Sequence, residues 1–268
     1  MTALHVVSTP ERGRLRGTIV AIPGLAESAE SLSITAAHWA DEGFRVHAVD
    51  PRGHGLSPRW TSALLRQHPG DVIVDELVDA VDELDGKARP LVLFGHSAGG
   101  SAAAAIASRR TERIAAVVLE DPFWRLPITP HQDRRVAFDA ATWLRRQQLL
   151  TDEERRREVA AIRPTWPADE LAGWSSSKEQ MDIQLVENGD VIPTRAWPRL
   201  LEDLASASVP VLIVTGSLKI GNTANHRAIE RARGAVVEVF EGASHFVRRD
   251  QRPRFHAVVD DFLDRIIT

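Results

Sequence analysis

Residues 90–101 read Pro90-Leu91-Val92-Leu93-Phe94-Gly95-His96-Ser97-Ala98-Gly99-Gly100-Ser101. A continuous apolar run opens just after a proline, as in a strand buried on both faces of a parallel sheet. The Ala-rich stretch Gly100–Arg110 contains no breaker and predicts a helix. Between them stands the G-x-S-x-G pentapeptide Gly95–Gly99. Strand, sharp turn and helix form the setting in which a serine is held on a strained turn with its hydroxyl exposed. Glycines flank such a serine because Cβ atoms there would clash as the turn tightens. A helix that begins at the serine also aims free N–H groups and a positive dipole end at charge developing nearby. Ser97 is therefore the candidate nucleophile.

Outward from this turn, short apolar runs alternate with helical stretches, the pattern of an α/β fold with a mostly parallel central sheet flanked by helices. Strands are predicted near Thr18–Ile22, Arg45–Val49, Leu91–Phe94, Ala115–Leu119, Val209–Val214 and Val236–Phe240, with Leu4–Ser8 as a further edge strand. Helices are predicted near Ser31–Glu42, Val72–Leu84, Ser97–Arg109, Asn225–Ala232 and Arg252–Ile267. The alternation breaks over residues 122–207. That stretch holds seven prolines and five of the seven tryptophans, Trp124, Trp143, Trp166, Trp174 and Trp197, with no convincing strand. It reads as a helical cap or lid inserted between two core strands, with residues 1–121 and 208–268 forming the core. Ligands bind at the C-terminal edge of open α/β sheets, where such a lid would sit. Trp124, the lid tryptophan nearest the preceding strand, is the candidate substrate-binding wall.

With 268 residues and 43 % hydrophobic content the chain can build one large domain with an insertion. A net charge of −4 gives no electrostatic footprint for nucleic acid. The basic triplet Arg155-Arg156-Arg157 is offset by Glu153, Glu154 and Glu158 and reads as a solvated helix face. The absence of cysteine excludes disulfides, thiolate metal sites and a cysteine nucleophile. No apolar run approaches the ~18 residues of a membrane span, and no basic-then-apolar signal region opens the chain. A cytoplasmic location is expected, with no membrane partner.

Four motifs in order make the chain resemble the α/β-hydrolase superfamily, in its capped, lipase- and epoxide-hydrolase-like branch. Ile22-Pro23-Gly24-Leu25 is similar to the oxyanion turn, with Pro23 in place of the commoner His. Asp50-Pro51-Arg52-Gly53-His54-Gly55-Leu56-Ser57 is similar to the loop after the next strand, the elbow follows, and Gly242-Ala243-Ser244-His245-Phe246 resembles the histidine loop before the last helix. The resemblance covers nearly the whole chain. It implies His245 as the base that activates Ser97, and the backbone N–H groups of Ala98 and Leu25 as the oxyanion hole. Of the other histidines, His96 precedes the nucleophile and is expected to help shape the elbow, His54 and His47 fit the Arg52 loop and its strand, and His38, His68, His131, His226 and His256 read as surface or packing residues.

The acid departs from the pattern. The family's usual position, after the strand that follows the lid, reads Val214-Thr215-Gly216-Ser217-Leu218-Lys219, and a lysine cannot orient an imidazole. The strand before the lid ends in Glu120-Asp121-Pro122, where some relatives carry a glutamate. The two carboxylates point to opposite faces, so only one can serve. Glu120 is the expected acid, on its alignment with those relatives and its reach. Asp121, before a proline, reads as a turn residue and stands as the alternative acid. The function expected is hydrolysis of a carboxylic ester or lactone of a small apolar or aromatic substrate by Ser97, His245 and Glu120 through an acyl-enzyme. No cofactor or metal is implied. Carbon–carbon bond hydrolysis or cofactor-independent oxygen chemistry on the same triad, or a non-catalytic ligand receptor, are the alternatives.

Overall fold

The computed structural model describes residues 3–10, 13–84, 90–124, 134–188, 190–218 and 222–267, with 134–138 and 188 described by their backbone alone. The elements run β1 (Val6–Ser8), β2 (Gly17–Ile22), a 3-10 turn (Ala29–Leu32), α1 (Ser33–Asp41), β3 (Phe44–Val49), a second 3-10 turn (Leu64–Arg66), α2 (Pro69–Leu84), β4 (Leu91–His96), α3 (Ala98–Arg109) and β5 (Ile114–Glu120). There follow α4 (Arg134–Leu149), α5 (Asp152–Ile162), α6 (Glu170–Glu179), α7 (Ile183–Asn188), α8 (Trp197–Ser206), β6 (Val211–Gly216), α9 (Ala224–Ala232), β7 (Val236–Phe240), α10 (Val247–Asp250) and α11 (Arg252–Asp264).

The seven strands lie in the order β1-β3-β2-β4-β5-β6-β7. Only β1 is antiparallel, pairing Val6–Ser8 with His47–Val49 at the sheet edge. The chain steps outward from β2 to β3, returns across β2 to β4, and then proceeds the other way. Its direction therefore reverses between β2 and β4, and the crevice at their C-terminal ends is where such sheets hold ligands. Pro23 and Ser97 leave the sheet side by side there, because Ile22 pairs with Gly95.

Both sheet faces are covered, which is why the strands read as unbroken apolar runs rather than alternating ones. Val20, Ile22, Leu91, Leu93, Val117, Leu119 and Ile213 face α2, α3 and α8. Their neighbours Ile19, Ala21, Val92, Phe94, Val118, Leu212 and Val214 face α1 and α11. Ala102 to Ala105 are all buried, so α3 lies close against both the sheet and α8. The apolar run ends at Phe94, yet β4 continues through Gly95 and His96, which still pair with Ile22 and Glu120.

Between β5 and β6 the described residues form α4–α8 and no strand. Leu200, Leu201 and Leu204 of α8 join the core beneath the sheet, whereas α4–α7 pack on one another and α6 rests on the 3-10 turn 29–32. The reading of the arginine triplet as solvent-facing holds for Arg156 and Arg157, which pair with Asp152 and Glu153 one turn earlier. It fails for Arg155. That side chain is buried and donates to the Gln147 and Leu150 carbonyls at 3.1 and 2.6 Å and to Ser175 Oγ at 2.9 Å. It closes the end of α4 against α6. Among the described residues no helix is long and apolar enough to cross a membrane.

Candidate active site

β4 ends at His96, α3 begins at Ala98, and Ser97 stands between them at φ 54°, ψ −119°. A side-chain-bearing residue in that region costs about 1–3 kcal/mol and persists only where the surroundings enforce it. The enforcement is visible. The Ser97 N–H donates to the Glu120 carbonyl at 2.9 Å, and the Ser97 carbonyl accepts from Phe123 N–H at 3.0 Å. A Cβ on Gly99 would fall 2.4 Å from the carbonyl oxygens of Ile22 and Pro23, so only glycine lets the elbow sit this close to β2. As the first residue of α3, Ala98 carries an N–H with no intrahelical acceptor.

The segment from Pro23 to Glu27 folds over the elbow. A Cβ on Gly24 would lie 3.1 Å from Ser97 Cβ. The turn is closed by Glu27 N–H on the Gly24 carbonyl at 3.0 Å, and Gly24 N–H returns to Glu27 Oε2 at 3.1 Å. Leu25 sits within it, beside Ser97. Glu27 is fixed in turn by His96 Nδ1 at 2.5 Å, Arg248 Nη2 at 2.7 Å and Arg249 Nη1 at 2.9 Å. Burial alone would push the Glu27 carboxyl up. Arg248, His96 and Arg249 outweigh it and hold the group well below the usual carboxylate range. From α6, Lys178 Nζ donates to the Ala26 carbonyl at 2.5 Å and lies 4.5 Å from the centre of the Trp174 ring. Burial, with help from Arg249 and Arg248 and against Glu27, brings its ammonium down to about 7.

The two carboxylates after β5 exchange the places expected of them. Glu120 does not meet His245. It is fully buried, its Oε1 accepts Arg248 N–H at 2.8 Å and its Oε2 accepts Arg248 Nη1 at 2.5 Å. Asp121 turns the other way because the strand ends there and its backbone adopts φ 38°, with its N–H on the Val214 carbonyl at 2.7 Å. Its Oδ1 accepts the Thr215 hydroxyl at 2.5 Å, and its Oδ2 is hydrogen-bonded to His245 Nδ1. The expectation that side chains alternate across the strand end is met, but the face assigned to each is reversed.

His245 lies on the loop between β7 and α10. The Ala243 carbonyl accepts from Ser217 and Leu218 N–H at 3.0 and 2.9 Å, and Asp250 Oδ2 accepts both N–H and O–H of Ser244 at 2.6 Å. His96 Nε2 donates to the His245 carbonyl at 3.0 Å, with the two rings 4.7 Å apart. The elbow, the Leu25 turn, His245 and Asp121 thus meet at one sheet edge.

Trp124 takes a packing position rather than presenting a wall. Its ring is buried and stacks on Trp197 at 5.1 Å, and its Nε1 donates to Glu230 Oε1 at 2.7 Å. The exposed aromatic next to the elbow is Phe123, 46 % accessible. Lys219 lies outside the described residues. Sequence reasoning missed Thr215, Glu27, Arg248 and Lys178. Two adjacent arginines directly after the histidine loop were a usable signal for a buried anion, but nothing in the chain points from Thr215 to Asp121. Among the described residues one triple of possible metal ligands is found, His38, His256 and Asp260, on α1 and α11.

Comparison with known proteins agrees with this architecture. Residues 13–252 match the family model described as serine aminopeptidase, S33. The protein named "Putative carbamate hydrolase RutD" of Caulobacter sp. strain K31 is 30 % identical over 232 residues, 82 % of this chain and 81 % of that protein. Among solved structures, the N-formylmaleamic acid deformylase of Pseudomonas putida S16 superposes with a TM-score of 0.74 at 22 % identity, covering 96 % of this chain and 95 % of the other. The enol-lactonase of Burkholderia xenovorans LB400 gives 0.72 at 22 %, covering 97 % and 96 %. At these identities the two structures speak for the fold alone.

Proposed function

Because the chain belongs to the serine aminopeptidase S33 family of α/β hydrolases, we propose that it is a serine hydrolase acting on a carboxylic ester or lactone of a small apolar or aromatic substrate. The triad is Ser97, His245 and Asp121. The observation that carries this reading is the bond from His245 Nδ1 to the buried Asp121 carboxylate beside a serine held at φ 54°.

That bond fixes the tautomer. With Nδ1–H donated to Asp121, Nε2 keeps its lone pair and serves as base. Ser97 Oγ attacks the carbonyl carbon while its proton passes to Nε2, and the oxyanion is received by the N–H groups of Ala98 and Leu25. Collapse breaks the C–O bond as Nε2 returns the proton to the leaving oxygen. Water then attacks the acyl-enzyme with the same proton exchange, releasing the acid and restoring Ser97. Asp121 stabilises the imidazolium in both halves. Helices α4–α7 act as the cap, held to the oxyanion turn through Lys178, and Phe123 supplies apolar surface beside the nucleophile.

A second reading, cleavage of a carbamate or amide C–N bond by the same groups, is favoured by the 30 % identical relative named as a carbamate hydrolase. A fluorophosphonate probe followed by peptide mass spectrometry tests the triad. The adduct is expected on Ser97, and Ser97→Ala should lose labelling and about 10⁶ in kcat. An adduct elsewhere sinks the assignment. Matched aryl esters, lactones and carbamates then decide the bond.

A further inference from the structure

On the sheet face away from α2 and α3, α1 and α11 bring together three side chains that the hydrolytic reading does not use. His256 and Asp260 stand one turn apart on α11, a spacing that stacks them on one face. His38 reaches them from the last turn of α1. Each offers a ligand atom, and these atoms lie within 4.8 Å of one another. His38 Nε2 is 2.7 Å from Asp260 Oδ2, and the His256 ring stacks on that of His38 with centroids 3.7 Å apart.

His256 is the anomaly. It is only 7 % exposed, and neither Nδ1 nor Nε2 has a hydrogen-bond partner. Buried polar atoms are almost always satisfied, and leaving a ring nitrogen dry is costly. The fold had apolar alternatives here, because Trp39 and Phe255 pack against the same ring. A buried imidazole with free nitrogens, set against a second imidazole and a carboxylate, has the composition of an incomplete coordination shell.

We propose that His38, His256 and Asp260 form a binding site for a divalent transition cation of the zinc type. Two imidazoles and one carboxylate suit Zn²⁺, Ni²⁺ or Co²⁺ and disfavour the all-oxygen cations Mg²⁺ and Ca²⁺. The cation replaces the proton shared by His38 Nε2 and Asp260 Oδ2, and His256 swings its ring out of the stack to supply the third ligand. Bond lengths of about 2.0–2.2 Å require ligand atoms roughly 3.5 Å apart, so the present spread contracts by side-chain rotation alone. The side chains of His38 and Asp260 keep 31 % and 24 % of their surface open, leaving a path for the ion and room for a water ligand. Glu42 and Asp264 lie near enough to Asp260 to add negative potential. The bound ion ties the C-terminal helix to α1, far along the chain, and takes no part in the triad.

The test uses the full-length protein after chelator treatment and dialysis. Titration with Zn²⁺, followed by calorimetry and thermal denaturation, is expected to give one equivalent bound with micromolar affinity and a raised Tm. Co²⁺ should show the visible absorption of a four-coordinate site. His38→Gln and Asp260→Asn, both at partly open positions, should each weaken Zn²⁺ binding at least about tenfold and leave the rate of fluorophosphonate labelling unchanged. That unchanged labelling also reports that the variants fold. Absence of uptake by the unaltered protein overturns the proposal outright. So does uptake that both variants retain undiminished, since it would belong to other histidines.

Discussion

Beneath the elbow, Glu27, Glu120, Arg248 and Arg249 form a network in which the carboxylates are matched by guanidinium groups and all four residues are buried. Beside the elbow, Asp121 and His245 form a pair whose histidine side chain is 23 % exposed. Two carboxylates one residue apart supply these two regions, and they are opposite in kind. The network sets the shape of the Leu25 turn, through Glu27, and of the last loop, through the Arg248 N–H on Glu120. In the proposed chemistry the pair's other imidazole nitrogen, Nε2, acts as the base. On the proposed reading, structural and reactive charge are separated by the alternation of a single strand end.

The separation breaks most visibly at Asp121. Asp121→Asn keeps the shape but presents an amide to His245, which favours the wrong tautomer and removes the charge that stabilises imidazolium. A loss of about 10⁴ in kcat is expected, as for the equivalent change in a serine protease, with Tm nearly unchanged. If Asp121→Asn retains most of its kcat, Asp121 is not the acid.

Glu120→Gln should give the reverse profile. It leaves the Arg248 guanidinium buried with one anionic partner in place of two. Breaking a buried pair from one side costs about 3–5 kcal/mol. The loss should appear in denaturant or thermal unfolding, while kcat stays within a few-fold of the unaltered protein's. A Glu120→Gln protein of normal stability and collapsed kcat would restore Glu120 as the acid and invert the comparison.

These two carboxylates also mark the limit of what the chain discloses by itself. The histidine loop was legible through its family resemblance; the strand–elbow–helix unit and most strand positions were legible because each depends on neighbours a few residues away. Apolar runs, a breaker, and glycines around Ser97 suffice for them. The face that each carboxylate would take was not legible. It depends on the φ of 38° at Asp121, and on Thr215 from the next strand and Arg248 from beyond the histidine, both remote in sequence. Arg155 teaches the same lesson. An arginine inside a charged run is buried because acceptors at the end of α4 and on α6 converge on it.

Lys178, beside the network and the Leu25 turn, sharpens the contrast through pH. Its amine is brought to about 7 in the folded protein, against 10.5 when unperturbed. Between those values the unfolded chain binds the extra proton, so stability rises with pH across that window. Below about 7 both states are charged, and this contribution is absent. Lys178→Met should therefore flatten stability against pH between 7 and 10.5, measured by urea unfolding at a series of pH values. It should also lower kcat by a few-fold, because the Ala26 carbonyl beside Leu25 loses its tether. An unaltered pH slope would show that the amine keeps its ordinary affinity for protons.

The smallest effect concerns Trp124, which belongs by packing to the inert side. Its ring stacks on Trp197, and its Nε1 serves Glu230 together with Asn222 Nδ2, both bonds falling on Oε1 at 2.7 and 2.6 Å. Burial raises the Glu230 carboxyl above its usual range, opposed by these two donors. Trp124→Phe keeps an aromatic face against Trp197 and deletes one donor. The expected cost is about 1 kcal/mol of stability, the net worth of one hydrogen bond, with Glu230 rising further. Neither kcat nor KM should move beyond about twofold, since uniform binding is lost only when a wall that touches substrate is cut away. Phe123→Ala is the internal contrast, because that ring is the open one beside Ser97 and its removal should raise KM with kcat little changed. If Trp124→Phe raises KM as much as Phe123→Ala does, then Trp124 touches substrate, and the boundary between the packed and the reactive region runs through Trp124.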